Sequence, residues 1–369
     1  MPQIFEIFSY PIADHSDAAN GSRRQAKCAF MRRDCDGGGN RYLSDVDLRN
    51  KPELRRLFPG RDKVRAGVCS IKLGSAGVPW IVCPRRLLAL NRSADAAATY
   101  QENSERKLLS LTGYKRGTRV GVWSEVKLKY KESSASSKKR FDYTFDYLLV
   151  PVGRVKAAEL EFIIGKPFNK IRPRLIKNGY TLSARDDGPW VEDFPIGNPT
   201  IVEIMTSSTS GGNKEKRTTV PMAFEDAMLD KPHNAPRINF RQVWARMVSQ
   251  LIVKSEVGIG WGGKCIWLLQ DVLIDYICES TALDIRSFLS ANTSEVNMLG
   301  FSYGNRYESA NGVIQLTAGE LFAGPMAPPG VHQNTPSFQD MVRAPIRPPM
   351  SRLLSLLSSK KLSNLLTIP

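Results

Sequence analysis

Three segments of this chain alternate apolar and polar side chains with the two-residue period of a β-strand. They are 119–130 (RVGVWSEVKLKY), 141–152 (FDYTFDYLLVPV) and 200–206 (TIVEIMT). Each places one carboxylate between apolar neighbours: Glu125, Asp146 and Glu203. A buried carboxylate is costly without a partner or a metal ion. Three such strands therefore point to one sheet on which the acids meet, although a strand facing water tolerates any one of them. Asp142 shares a strand face with Asp146 and is its rival; Glu159 and Glu161 are rivals of Glu203. Two carboxylates on adjacent strands are a standard way to hold Mg²⁺, which prefers carboxylate oxygens, keeps several waters and can activate one for phosphodiester hydrolysis.

The remaining pattern is that of an α/β protein. Residues 95–113 carry good helix formers and stop at Gly113. Phe240, Val243, Trp244, Met247 and Leu251 lie on one face of a helix over 238–255. The run 266–277 (IWLLQDVLIDYI) reads as a second apolar helix by its length. KESSASSKK and STSGGNKEK (208–216) read as loops. Prolines crowd the stretch after 325, and a leucine-rich basic tail, SRLLSLLSSKKLSNLLTIP, follows, expected to pack on the body or on a partner. With 369 residues the chain has room for two or three lobes.

Four of the six cysteines, Cys28, Cys35, Cys69 and Cys83, fall in the first 83 residues with polar or basic flanks, whereas Cys265 and Cys278 sit in apolar runs and read as core thiols. The four suit a tetrahedral thiolate site for a soft metal, zinc or iron, although their spacing matches no standard finger. Two disulfides would need an oxidising compartment. The opening MPQIFEIFSYPIADH lacks a basic start, an apolar core and a small-residue cleavage site, so a cytoplasmic location is expected. The CDGGGNR turn has no GK[ST] after it and is not a phosphate loop.

The net charge of +16 favours a polyanionic partner. It is concentrated from Lys115 to Arg140, where nine basic residues face only Glu125 and Glu132. No apolar run reaches the length of a membrane helix. His15, His233 and His332 are widely separated, and neither HExxH nor GxSxG occurs, which argues against zincin and nucleophile-elbow chemistry.

Taken in order, CAF at Cys28, Cys35, GVCSIK at Cys69, WIVCPRRLL at Cys83, SEVKLKY at Glu125, FDYLL at Asp146, IVEIMT at Glu203, FRQVWARMVSQLI and GKC at Cys265 resemble the NotI-type restriction endonucleases over roughly residues 25–280. The resemblance implies a PD-(D/E)XK nuclease core that cuts double-stranded DNA at a palindrome with Mg²⁺. It implies a homodimer, no small-molecule substrate, and a structural iron on the four cysteines. Asp146 and Glu203 would be metal ligands, with Glu125 a further ligand or supporting acid. The implied layout is a four-cysteine lobe (1–92), a nuclease domain (93–320) with a basic insertion near 153–195 that contacts DNA, and a tail (321–369). The family's Lys or Gln two residues after the second acid is here Met205, whose thioether donates no hydrogen bond. Lys214 or Lys127 would then supply the positive charge, or the chain would bind DNA without cutting it.

Overall fold

The computed structural model describes residues 1–38, 44–74, 77–90, 100–131, 140–210, 212–305, 307, 311–327, 336–342, 349, 350 and 352. The second half of the CDGGGNR turn, most of the KESSASSKK segment, His332 and all but Arg352 of the leucine-rich tail lie outside these residues.

The amino-terminal part builds a four-stranded antiparallel sheet from β1 (Pro2–Ile7), β2 (Tyr10–Pro11), β3 (Val68–Leu73) and β4 (Pro79–Ile81), in the order β2-β1-β3-β4. A one-turn helix, α1 (Pro84–Leu87), and then α2 (Glu102–Leu111) lead to the central sheet. There β5 (Val120–Lys131) pairs along most of β6 (Arg140–Lys156). Helices α3 (Ala157–Ile164) and α4 (Phe168–Lys177) and the hairpin of β7 (Leu182–Arg185) and β8 (Gly188–Pro195) follow. Next come β9 (Thr200–Met205), α5 (Val220–Met228), α6 (Phe240–Gly260), β10 (Lys264–Gln270), α7 (Asp271–Ser280), β11 (Leu289–Ser290), β12 (Val296–Ser302) and β13 (Thr317–Gly324). The strand order is β7-β8-β6-β9-β10-β12-β13-β11, with β5 on β6; β9, β10 and β12 run parallel and the other pairs antiparallel. The fold is a mixed α/β architecture with helices on both faces of this sheet.

The run 266–277 is not one helix. Its first half is β10, and the helix begins at Asp271. Cys265, Trp267 and Leu269 bury against α6 and α7, while Ile266 and Leu268 bury on the opposite face with Leu87 and Leu108. A strand covered on both faces is apolar throughout and loses the two-residue period. Gln270 ends it by accepting from Ile81 N at 2.8 Å and donating to Pro79 O at 2.7 Å, which joins the two sheets.

Residues 1–92 are less loop-rich than their sequence suggests, and they do not close a core alone. Ile7, Phe8, Phe58 and Ile71 pack with Val220, Ala223 and Phe224 of α5. A second tie is fully buried: Arg86 Nε donates to both oxygens of Glu6 at 2.9–3.0 Å, and Arg86 Nη2 to Ile314 O at 2.8 Å. Ser70 Oγ and the Tyr303 hydroxyl complete the shell of Glu6. Among the described residues no helix is long and apolar enough to cross a membrane.

Candidate active site

The three carboxylates singled out in the sequence meet where the sheet forks. The β6–β9 ladder ends at Tyr147↔Val202; one step further in the same register stand Asp146 and Glu203. In the β5–β6 register Glu125 falls opposite Asp146, between Ser124↔Tyr147 and Val126↔Phe145. Beyond the fork β6 continues with β5 alone, so the acids sit at an open edge rather than inside a ladder. Backbone groups freed by the fork are satisfied by the acids themselves. Ile204 N donates to Asp146 Oδ2 at 2.8 Å, and Asp146 N to Glu203 Oε1 at 3.4 Å. Glu125 has φ +53°, a left-handed conformation uncommon for residues with a side chain.

These acids line a cavity of about 570 Å³ that also receives Arg85, Arg246 and Lys254. Lys254, one turn beyond Leu251 on the buried stripe of α6, is the basic group that the sequence reading missed. Its Nζ donates to Glu203 Oε2 at 2.5 Å and to Thr144 O at 2.8 Å, and both side chains of the pair are almost fully buried. The signal was in the helix periodicity: Val243, Met247 and Leu251 are buried, and the next residue on that stripe is Lys254. A lysine on an apolar stripe needs a partner.

Met205 is buried in the core against α6, although its edge reaches the cavity. Lys214 is exposed and lies outside the cavity lining. Lys127 is also exposed, and it faces Asp142 at 3.7 Å, as does Lys129. Asp142 is thereby partly neutralised, and Glu159 and Glu161 are exposed on α3, which leaves Asp146 and Glu203 as the central pair. Arg119 of the basic run is likewise engaged, pairing with Asp193 at 2.7 Å.

Burial drives the electrostatics. It raises the Asp146 carboxyl, against the lowering effects of the Ile204 amide, Lys254 and Arg85. Glu203 is pushed up to about 8, by burial first and by Asp146 second, with Lys254 opposing. A carboxyl with a raised folded-state value supports stability below its ordinary value near 4.5, and that support is lost as pH rises through about 8. In chelator, stability is therefore expected to fall between about pH 4.5 and 8, by at most about 1.4 kcal/mol per pH unit for this one proton. Denaturant titrations at several pH values check this, and Glu203→Gln should flatten the slope.

Arg85 connects this cavity to the cysteines. Its Nη2 donates to Glu125 Oε1 at 2.8 Å and to Asp36 Oδ2 at 3.1 Å, and its Nη1 to the Tyr147 hydroxyl at 3.2 Å. Asp36 follows Cys35, and Arg85 lies two residues after Cys83. All four cysteines of this region are free thiols within electrostatic reach of one another. Cys69 accepts from Ser9 N at 3.3 Å and Cys35 from Gly37 N at 3.5 Å. Burial raises Cys28 to about 11, while a hydrogen bond from Cys69 lowers Cys83. Gly38 (φ +55°) passes so close to Cys83 that a Cβ would come within 2.4 Å of its Sγ. Even so, no group of three or more His, Cys, Asp or Glu among the described residues is arranged to hold a metal ion. Cys265 is a core thiol, and the half-buried Cys278 donates to Asp284 Oδ1 at 3.6 Å.

Comparison with protein-family models, with curated proteins and with solved structures returned no match.

Proposed function

We propose that this chain is a type II site-specific deoxyribonuclease with a PD-(D/E)XK core, cutting both strands of duplex DNA at a short palindrome. The observation that carries the reading is the strand fork that sets Asp146 beside Glu203 with the buried Lys254 on the latter. Two half-neutralised carboxylates fit Mg²⁺, which takes one or two carboxylates and completes its shell with water and phosphate rather than a protein cage. When bound there, the ion would supply an activated water and neutralise charge developing on the phosphate.

The chain's own groups do the rest. Asp146 and Glu203 would hold the ion. Lys254 has three N–H donors. Glu203 and Thr144 O take two of them, which fixes the ammonium and leaves the third for the attacking water or the scissile phosphate. On this reading Lys254 on α6 would take the part of the absent motif lysine, while Met205 packs in the core. Arg85 holds Glu125 at the rim, and Arg246 adds positive charge to the wall. A homodimer gives each strand of a palindrome its own active site.

The test is incubation of unmethylated genomic DNA with the protein and Mg²⁺. Discrete fragments are expected, absent with Asp146→Ala. Retention of duplex without fragments would favour a DNA-binding protein that has lost cleavage, a reading supported by the apolar Met205. Random degradation, or no interaction with duplex, would refute both.

The same reading gives Cys28, Cys35, Cys69 and Cys83 to one structural iron, with zinc as the other ion of suitable softness. Their thiol chemistry and backbone N–H donors suit it, whereas their arrangement does not form a metal-holding group. Elemental analysis should find about one metal per chain. No metal, together with four thiols reactive toward a thiol reagent in the native protein, would remove this part.

A further inference from the structure

We infer that α4 is a phosphate-contacting arm for duplex DNA. Lys166, just before the helix, and Lys170, Arg172, Arg174 and Lys177 within it are all exposed, with no acid from 166 to 177. Among the described residues none of the five makes an ion pair. Cations elsewhere in this region do: Arg154 meets Glu192 at 3.8 Å, Lys156 meets Asp187 at 2.7 Å and Arg119 meets Asp193. An uncompensated row of five cations is held in place at an electrostatic cost that a polyanion would relieve. The row is rigidly mounted, because Ile171 and Leu175 of α4 bury against Val155, Leu160 and Val191.

Position favours DNA. The α3–α4 unit grows from the end of β6, the strand that carries Asp146. Ten residues separate Asp146 from Lys156, which is at most about 33 Å of strand. That is about one turn of duplex, so the α3–α4 unit starts within about one turn of the cavity. A lipid surface is the competing occupant, since Phe162 and Ile163 of α3 are exposed. However, Ile171 and Leu175 of α4 are already used inside the protein, and Ile176 is the one large apolar side chain left exposed on that helix, whereas an interfacial helix needs a whole apolar face free.

This inference rests on the nuclease reading only for the identity of the polyanion. The test measures duplex binding by the full chain against salt, without divalent ions, for wild type, for Lys170→Gln, Arg172→Gln, Arg174→Gln and Lys177→Gln singly, and for all four together. The slope of log affinity against log salt should fall by about 0.9 per lost contact, so by up to about 3.6 in the fourfold variant. An unchanged slope in variants that bind duplex overturns the arm and leaves the nuclease reading intact. A wild type that binds no duplex overturns both. Tighter binding of the wild type to anionic phospholipid vesicles than to duplex, lost in the fourfold variant, assigns α4 to lipid and overturns the proposal.

Discussion

Lys254→Met is expected to lower the rate of DNA cleavage by on the order of 10²–10³-fold, the cost typical of losing one preorganised donor at a reacting centre. Duplex affinity measured without divalent ions should change little, because a single buried ammonium contributes little to a contact dominated by surface cations. Lys254→Arg is a useful companion: its planar fork cannot reproduce a point donor held between Glu203 and Thr144 O. Partial rescue by Arg would show that charge suffices, and no rescue that the geometry matters. Because Lys254 and Glu203 are both buried, folding must be checked in parallel. A folded Lys254→Met protein that cuts within about threefold of wild type would remove Lys254 from the chemistry. In that case the Met205→Lys variant becomes informative: a gain in rate would return the role to the strand.

Arg86→Ala should have the largest effect on stability. The guanidinium and Glu6 are 1% and 0% exposed, and they join β1 to α1 and, through Tyr303 and Ile314 O, to the segment between β12 and β13. Removing one partner strands a buried charge, at a cost of about 3–5 kcal/mol. Replacing both, Glu6→Leu with Arg86→Met, should cost less than either single change, since no charge is then left unpaired. Denaturant unfolding of the four proteins tests this; a double variant less stable than both singles would mean that the pair contributes net stability. Arg85, one residue earlier, should behave differently. Its acid partners, Glu125 at the cavity rim and the half-buried Asp36, keep access to water, so its replacement strands no fully buried charge and is expected to affect cleavage more than folding.

The strands at the centre of the protein are legible in the sequence. The expected segments 119–130, 141–152 and 200–206 appear as Val120–Lys131, Arg140–Lys156 and Thr200–Met205. A half-buried strand writes its two faces into the sequence as alternation, so the pattern is local. The α6 stripe was legible for the same reason at helical period. By contrast, β10 was read as helix, because burial on both faces erases the period on which such readings depend. The helix expected over 95–113 is described as Glu102–Leu111, followed by Gly113 at φ +74°.

The candidate site divides in the same way. Glu125, Asp146 and Glu203 could be chosen from sequence because an acid flanked by strand residues is locally anomalous. Lys254 could not be joined to them, since it lies 51 residues from Glu203 and reaches it only when α6 packs across β9. The expected substitutes, Lys214 and Lys127, are exposed and outside the cavity lining, and Lys127 faces Asp142. Charge followed the same rule. The basic run from Lys115 looked like the main cationic feature, yet Arg119, Lys127 and Lys129 face acids in the folded chain. Among the described residues, α4 carries a row of cations without ion-pair partners. The sequence by itself determined which residues form strands and which acids are out of place in them, because those properties depend on neighbours within a few positions. Only the tertiary structure decided which cation serves those acids and which cations remain unpaired, because both depend on contacts between segments that the chain brings together only on folding.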